Sequence, residues 1–299
     1  MVSFQASVAE VLEFLQSRIH LGRSFSTVKV YLAAISACHI GFDGKTSRPL
    51  VQRFMKGAMR TQKVSRTLLP SWDLALVLDA LCSPPFEPLS SVELKFLCLK
   101  TVLLVALTTS KRVSDIQALS VSPECMRFAA DDRKVMLKPN AAFVPKNLQV
   151  VNTPVELVAF HPPPFASTED ERLNGLCPVR ALRLYCQKTT AGRKTSQLFV
   201  SYGPGSKRNA VARSTISRWI VEAIRLAYSS KGVQVPEGLR AHSTRGVSAS
   251  WALSRGASVQ EICMAANWSS SSTFGTFYSL DVAASAVAHA VLGVAETLR

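Results

Sequence analysis

The sequence predicts a mostly α-helical protein with one small antiparallel β-sheet, divided into two domains. Apolar residues recur at helical spacing both before residue 60 and after residue 177. The stretch 126–160 instead holds short β-rich runs between turn pairs such as Asp131-Asp132. The polar stretch TQKVSRTLLPS (61–71) separates these parts. We therefore expect a helical domain at 1–64, a linker at 65–70 and a second domain at 71–299.

Three helices are expected in the first domain. SVAEVLEFLQSRI starts at Ser7, whose hydroxyl can cap the helix in a capping box with Glu10. STVKVYLAAISACHI repeats the apolar spacing after Ser26. The turn-rich GFDGKTSRP then precedes a basic helix at 49–60. A unit of this size is a small binding module.

The second domain is expected to be helical on both sides of the sheet. Ser71 is the predicted cap of WDLALVLDALC, and a long apolar helix follows at 91–108. Three strands should lie within 126–160, and the Pro-rich HPPPFASTEDERLNG reads as a loop. The remaining predicted helices are CPVRALRLYCQKT, ARSTISRWIVEAIRLAYSS (apolar face Ile216, Trp219, Ile220, Ile224), 242–254, 258–267 and 281–298.

The charge balance favours a polyanionic partner. Lys and Arg number 35 against 20 Asp and Glu, a formal charge of +15. No acid interrupts the basic residues from Lys45 to Arg66. The helical spacing of this region places four of them on one face: Arg53, Lys56, Arg60 and Lys63. An ordinary solvated surface is the alternative, but the lack of acids favours a stripe that faces DNA phosphates.

Several classes of protein fit poorly. The seven cysteines are scattered without a CxxC pair, which argues against a zinc site or disulfide framework and favours a reducing compartment. The most apolar run, 94–107, is interrupted by lysines and too short to span a bilayer, and no signal pattern opens the chain. No clustered carboxylates, paired histidines or glycine-rich phosphate loop occur. A mechanism without metal or cofactor, or pure binding, remains.

Three constellations carry possible chemistry, each weak alone. LTTSKRVSDIQALS places Arg112 at the end of the buried helix with Asp115 one turn later, a carboxylate that can hold the guanidinium for phosphate. RAHSTRGVSASWAL places His242 and Arg245 three apart. ANWSSSSTFGTFYSLD joins Trp268 to Tyr278 through a serine run that reads as a loop.

In this order the motifs resemble those of the tyrosine recombinase (phage integrase-like) family. TTSKRVSDIQAL is similar to the family segment of its first arginine, with Ser110 at the usual glycine and Asp115 at the usual glutamate. HSTR matches the family's H-x-x-R pair, and Trp268 stands where the next active-site residue is found. Tyr278 follows Trp268 by one residue more than usual, so that Phe277 occupies the expected register.

The resemblance implies a DNA clamp formed by a helical core-binding domain and an α/β catalytic domain. Tyr278 would attack a scissile phosphodiester and form a 3′-phosphotyrosyl link. Two arginines would clamp the phosphate, Arg112 and Arg245, while His242 bonds it or accepts the tyrosine proton. Trp268 would buttress the site. A lysine of the second β-hairpin would protonate the leaving oxygen; Lys146 is preferred, followed by Lys138 and Lys134.

Three stretches are similar in sequence to the recombinases of DIRS and Ngaro retrotransposons: LKTVLLVALTTSKRVSDIQALS, AHSTRGVSASWAL and AANWSSSSTFGTFYSLDV. This resemblance implies double-stranded DNA as the partner, a homo-oligomer (dimer or tetramer) on DNA, no membrane, no small-molecule cofactor and a nuclear location. The tail DVAASAVAHAVLGVAETL would dock on a neighbouring protomer or pack on its own chain.

Three alternatives stay open. The longer spacing between Trp268 and Tyr278 suits a domesticated copy that binds DNA without cutting it. A type IB topoisomerase-like enzyme would share the chemistry, although the small N-terminal domain argues against it. A helical DNA-binding regulator would explain the charge, but not the ordered motifs.

Overall fold

The computed structural model describes residues 5–39, 47–61, 69–145, 154–203 and 208–282. The chain divides into two compact units, Met1–Thr67 and Leu68–Arg299. The division falls within the linker expected at 65–70, of which Leu69 and Pro70 are described. Within the described ranges, no helix is both long enough and apolar enough to cross a membrane.

The first unit contains three described helices: α1 (Val8–His20), α2 (Phe25–Cys38) and α3 (Ser47–Thr61). Their shared core is formed by four buried aliphatic side chains: Val11, Leu15, Val28 and Val51. The predicted capping box forms, because Ser7 Oγ accepts from Glu10 N while the Glu10 carboxylate accepts from Ser7 N. Helix α2 begins at Phe25, one residue before the stretch STVKVYLAAISACHI that predicted it. Ser24 has the extended backbone of a cap and accepts from Thr27 N, whereas Ser26 lies inside the helix.

The second unit contains the remaining described helices and strands. In chain order they are α4 (Leu74–Leu81), α5 (Leu94–Thr109), α6 (Val113–Gln117), β1 (Met126–Phe128), β2 (Lys134–Leu137), β3 (Val155–Val158), α7 (Thr168–Asn174), α8 (Pro178–Thr190), α9 (Arg213–Ser230), α10 (Ser243–Ser254), α11 (Val259–Ala266) and α12 (Ser271–Phe277). Asp73, not Ser71, caps α4, because its carboxylate accepts from two free backbone N–H groups, those of Ala75 and Leu76.

Helix α5 is the centre of this unit and packs against α8, α9 and α10. It is apolar on every side, as a helix enclosed by others must be. Its one fully buried charge, Lys100, donates to Leu81 O and forms an ion pair with Glu87. The helix ends where Ser110 takes a left-handed conformation, with φ of +49°. This turn directs the chain into the candidate site.

The predicted three-stranded antiparallel sheet is confirmed, with strand order β1-β2-β3. One face of the sheet packs on the large buried cluster around α5, which we call the main core, and contributes Val135, Leu137 and Leu157 to it. The Pro-rich stretch predicted as a loop contains a short helix, α7. Ser167 caps it by accepting from Asp170 N, and three acidic residues lie in its first turn, where the helix dipole favours them.

The serine run predicted as a loop is partly helical, because α12 begins within it at Ser271 and continues to Phe277. With α11 it covers a cluster of six buried residues that is separate from the main core. We call this the C-terminal cluster: Ala249, Ile262, Cys263, Ala266, Trp268 and Phe274. Most of the helix predicted at 281–298 lies outside the described residues.

Candidate active site

Arg112 stands directly before α6, two residues after the left-handed Ser110. Positive φ favours glycine. The left-handed turn therefore explains why the family that this sequence resembles has glycine where this chain has Ser110. Asp115 was expected to hold the Arg112 guanidinium, but its carboxylate accepts from the Arg112 backbone N–H at 3.1 Å. Asp115 therefore fixes the direction of the chain, and the guanidinium of Arg112 has no acidic partner among the described residues.

Arg245 is the most rigidly held residue of the site. It is 1% exposed, and its guanidinium makes three hydrogen bonds in different directions. Nε donates to Ser110 O at 2.7 Å, Nη2 to Ala266 O at 2.9 Å and Nη1 to the Tyr278 hydroxyl at 3.0 Å. Burial lowers the pKa of Arg245 to about 10, which leaves it charged at neutral pH. The bonds therefore present a fixed positive charge to the Tyr278 oxygen.

Tyr278, not Phe277, occupies the site. Its hydroxyl lies 3.0 Å from Arg245 Nη1 and 3.2 Å from His242 Nε2. Phe277 is 68% exposed. The turn of α12 between Trp268 and Tyr278 accommodates the additional residue and brings the tyrosine into register.

His242 precedes α10 and is partly enclosed by its neighbours. Burial lowers the pKa of its imidazole, and the positive charges of Arg245 and Arg112 lower it further. The imidazole is therefore neutral at pH 7. Because Arg245 donates to the Tyr278 oxygen, the phenol proton is free to point at His242 Nε2, which can accept it.

Trp268 supports the tyrosine ring from one side. The two rings stack, with centroids 4.4 Å apart and planes 22° from parallel. The Arg245 guanidinium carbon lies 5.0 Å from the indole centroid and 4.9 Å from the Tyr278 centroid. The buried indole Nε1 has no hydrogen-bond partner among the described residues. The residue thus packs as the expected buttress and retains an unused donor.

Two residues of α10 that the sequence reading missed hold the backbone of Tyr278. Ser250 Oγ donates to Tyr278 O at 3.1 Å and accepts from Leu280 N at 2.8 Å. Gly246 lets the same segment approach, since a Cβ there would lie 3.3 Å from both Tyr278 O and Leu280 Cδ1. In the sequence, the only signal for these two residues was their helical spacing from Arg245. Such spacing does not predict contacts with a segment some 30 residues further along the chain.

The lysines proposed as the general acid have different surroundings. Lys134 Nζ forms an exposed ion pair with Glu156, 3.2 Å away on β3. Lys138 directly follows β2 and is half-buried. Lys146, the preferred candidate, belongs to the β2–β3 connection but lies outside the described residues. The identity of the acid stays a prediction.

Basic side chains form two exposed surfaces. On α3, Arg53, Lys56 and Arg60 are exposed and have no acidic partner among the described residues; Lys63 lies outside that set. The second surface is a groove of about 670 Å³ beside His242, between α9 and the segment before α10. We call it the α9 groove; its basic and hydroxyl side chains are Arg218, Arg225, Arg240, Ser214 and Ser217, and the acid in its lining, Glu222, forms an ion pair with Lys95. The sequence analysis missed this surface because its residues come from two separate segments.

No family model and no curated protein matches the sequence. Solved structures do match its fold. The Tn1549 transposon integrase in complex with transposon right end DNA aligns with a TM-score of 0.60 at 12% identity, over 98% of this chain and 85% of that one. A XerH site-specific recombinase bound to palindromic difH substrate gives 0.52 at 11% identity, over 97% and 73%. A lambda integrase dimer bound to a COC′ core site gives 0.51 at 15% identity, over 93% and 81%.

These likenesses establish the fold class predicted from the sequence. The mostly helical architecture with its three-stranded antiparallel sheet is that of the tyrosine recombinases.

Proposed function

We propose that this protein is a site-specific DNA recombinase or integrase that cuts and rejoins strands through a 3′-phosphotyrosyl intermediate. One observation carries the proposal: the Tyr278 hydroxyl lies within hydrogen-bond distance of both Arg245 and His242 of its own chain. A phenol placed between a buried guanidinium and a neutral imidazole has a proton acceptor and an electrostatic stabiliser for phosphoryl attack. The fold supports the same activity.

The proposed reaction needs no redox change or external energy. The Tyr278 oxygen attacks the scissile phosphorus while its proton passes to His242 Nε2, and the 5′-oxygen of the DNA leaves. Arg112 and Arg245 stabilise the added negative charge on the non-bridging oxygens. The 5′-oxygen takes a proton from a β2–β3 lysine, for which Lys146 is preferred. Attack by the 5′-hydroxyl of another strand reverses the step and restores the tyrosine.

The basic surfaces suit double-stranded DNA as the substrate. The α9 groove leads to His242, so phosphates bound there would lie next to the reacting group. The exposed basic side chains of α3 provide a second phosphate-binding face in the first unit. The similar lambda integrase was solved as a dimer on DNA. We propose that this protein likewise assembles as a dimer or tetramer on its target.

A finer part of the proposal concerns origin and location. The sequence around Arg112, His242 and Tyr278 supports a DIRS-type mobile element as the source of the protein, and this source implies a nuclear location. Expression of a fluorescent fusion tests the location, since a protein excluded from nuclei contradicts it. Sequencing of the DNA that the enzyme joins in cells tests the source, since junctions at the ends of a mobile element support it and junctions confined to other DNA contradict it.

The central test is covalent capture. The protein is incubated with a library of duplexes that carry a nick and have random sequence around it, because the target sequence is not known. When cleavage occurs near the nick, the released fragment is short and diffuses away, so the covalent link is not reversed. Covalent complexes are then recovered after denaturation. We expect an adduct from the unmodified protein and none from Tyr278→Phe. Tyr202→Phe is the matched control, because the Tyr202 ring packs against Trp219 and lies outside the candidate site.

The register of the nucleophile can be tested in the same assay. The double variant Phe277→Tyr, Tyr278→Phe places a phenol at the usual family spacing, and we expect it to stay inactive because Phe277 points to solvent. No adduct from the unmodified protein would indicate a DNA-binding protein that does not cut. Adducts with relaxation of supercoils, but no exchange between two duplexes, would indicate a topoisomerase.

A further inference from the structure

Lys111 is a buried cation next to the candidate site that the proposed reaction does not use. It lies between Ser110 and Arg112, is 8% exposed and has no acidic partner among the described ion pairs. Its ammonium donates to Asn267 Oδ1 at 2.7 Å, across 156 residues of sequence. The bond joins the segment that carries Arg112 to the turn that carries Trp268.

The acceptor, Asn267, controls that turn. It ends α11 in a left-handed conformation, with φ of +53°, and Trp268 follows it directly. On the other side of the turn, Arg245 Nη2 donates to Ala266 O. The turn is therefore held by two cations, one on its backbone and one on its side chain. The Trp268 ring that it presents is the surface on which Tyr278 stacks.

The energetics argue against a purely structural role for Lys111. An ammonium removed from water and bonded to a neutral amide costs more than an aliphatic side chain of the same size. Burial, together with the nearby charges of Arg245 and Arg112 and against the opposing charge of Asp115, lowers the pKa of Lys111 to about 8. Such a group is found where its charge or its directed bond has a task.

We propose that Lys111 is a positioning residue for DNA cleavage, which acts through Asn267 to hold Trp268 and Tyr278 beside Arg245. This role rests on the proposed function, but its structural part can be measured without DNA. Removal of the bond should loosen the segment 267–279, whereas α5 and its packing in the main core should be unaffected.

Hydrogen exchange tests the structural part. Three backbone N–H groups report on the segment: Trp268 N bonded to Cys263 O, and Tyr278 N and Ser279 N bonded to Phe274 O. In Lys111→Met we expect their exchange to accelerate about tenfold, in line with the loss of one charged hydrogen bond. Lys188→Met is the matched control, because this lysine donates to Val92 O, just before the start of α5 and so at the end opposite to Ser110, and should leave 267–279 unchanged.

A double-mutant cycle tests whether Lys111 acts through Asn267. Asn267→Gly keeps the left-handed conformation available and removes the acceptor, and Asn267→Asp keeps an acceptor oxygen. We expect Asn267→Gly to match Lys111→Met, the double variant to match either single one, and Asn267→Asp to keep wild-type exchange. Additive effects, or unchanged exchange in Lys111→Met, would overturn the proposal. Asn267→Gly keeps the test available if Lys111→Met does not fold.

Adduct formation then separates this inference from the proposed function. With DNA recovered by covalent capture, Lys111→Met should form the adduct about tenfold more slowly at saturating DNA, with unchanged DNA affinity. A variant that cleaves at the wild-type rate would overturn the inference and leave the proposed function intact. If the unmodified protein forms no adduct, the proposed function fails, and the exchange measurement alone decides whether Lys111 positions the turn.

Discussion

The two halves of the candidate site are built into the second unit in different ways. Arg112 lies between α5 and α6 and Arg245 lies in α10; α5 is buried in the main core, and α10 contributes Val247 to that core. Trp268 and Tyr278 come from the segment that packs on the C-terminal cluster, which has six buried members among the described residues. Arg245 is almost fully buried, whereas the Tyr278 hydroxyl lies at the surface of the site.

This contrast shows how a rigid binding half and a more easily displaced nucleophile can share one site. A small cluster buries little apolar area, so the tyrosine half should open locally at a lower free energy than the main core. Polar contacts from the other half compensate: Arg245 bonds Ala266 O and the Tyr278 hydroxyl, Ser250 bonds Tyr278 O, and Lys111 bonds Asn267. In the proposed reaction Tyr278 holds a DNA strand after attack, and this second mode of attachment suits that role.

Removal of the guanidinium that links the halves should have the largest effect. In Arg245→Lys a single ammonium cannot reach Ser110 O, Ala266 O and the Tyr278 hydroxyl at once, although the charge is kept. We expect the rate of adduct formation to fall at least about 100-fold, a typical loss for a transition-state donor. Arg255→Lys is the control, since Arg255 stacks on Trp251 outside the site. A loss below tenfold would contradict the link.

Crowding of the tyrosine half from α10 should have the next largest effect. The added methyl of Gly246→Ala meets Tyr278 O and Leu280 Cδ1 at 3.3 Å, so the segment must shift by a few tenths of an ångström. We expect roughly 1 kcal/mol of destabilisation and a reduction of cleavage of about tenfold. Denaturant unfolding and single-turnover cleavage measure the two. Gly57→Ala on α3 has nothing within 4 Å and should be neutral or stabilising. Unchanged cleavage in Gly246→Ala would show that the position of this backbone does not limit the reaction.

Loss of a hydroxyl contact to the tyrosine backbone should have a smaller effect. Ser250→Ala removes the bonds to Tyr278 O and Leu280 N, each worth about 1 kcal/mol. We expect hydrogen exchange of Leu280 N to accelerate and cleavage to slow a few-fold. Ser254→Ala, which loses only a bond to Trp251 O of its own helix, should change neither. Equal behaviour of the two variants would argue against a role for Ser250 in holding the segment.

The same contrast marks how far the sequence could predict the molecule. Local signals sufficed for the fold: the Ser7–Glu10 capping box, the apolar face of α9 and the β-rich runs of the sheet all appear as expected. The order of the motifs along the chain also predicted a shared site for Arg245, His242 and Tyr278, and the three lie together in the structure. Each of these depends on residues close in sequence or on an ordered set of motifs.

Contacts between distant segments could not be predicted in this way. Lys111 and Asn267 are neighbours only in the fold, and Gly246 is informative only once Tyr278 O is seen beside it. The spacing of the nucleophile depended on whether the serine run is a loop or a helix. Serine is a weak helix former, so tertiary packing of Phe274 on Trp268 decides the outcome.

The smallest expected effect concerns the proton on His242. Its folded pKa lies below the ordinary value of 6.5, so the unfolded chain takes up the proton first as the pH falls. Stability should therefore be unaffected by His242 above pH 6.5 and decrease below it, down to the lowered folded pKa. Adduct formation should decline at lower pH than this onset, as the pH falls through the lowered folded pKa, because a protonated imidazole cannot accept the Tyr278 proton. Melting temperatures and cleavage rates of the unmodified protein and His242→Gln, compared from pH 5 to 8, measure both. Loss of the acidic decline in His242→Gln is expected, and an identical decline in both proteins would assign the titration to another group.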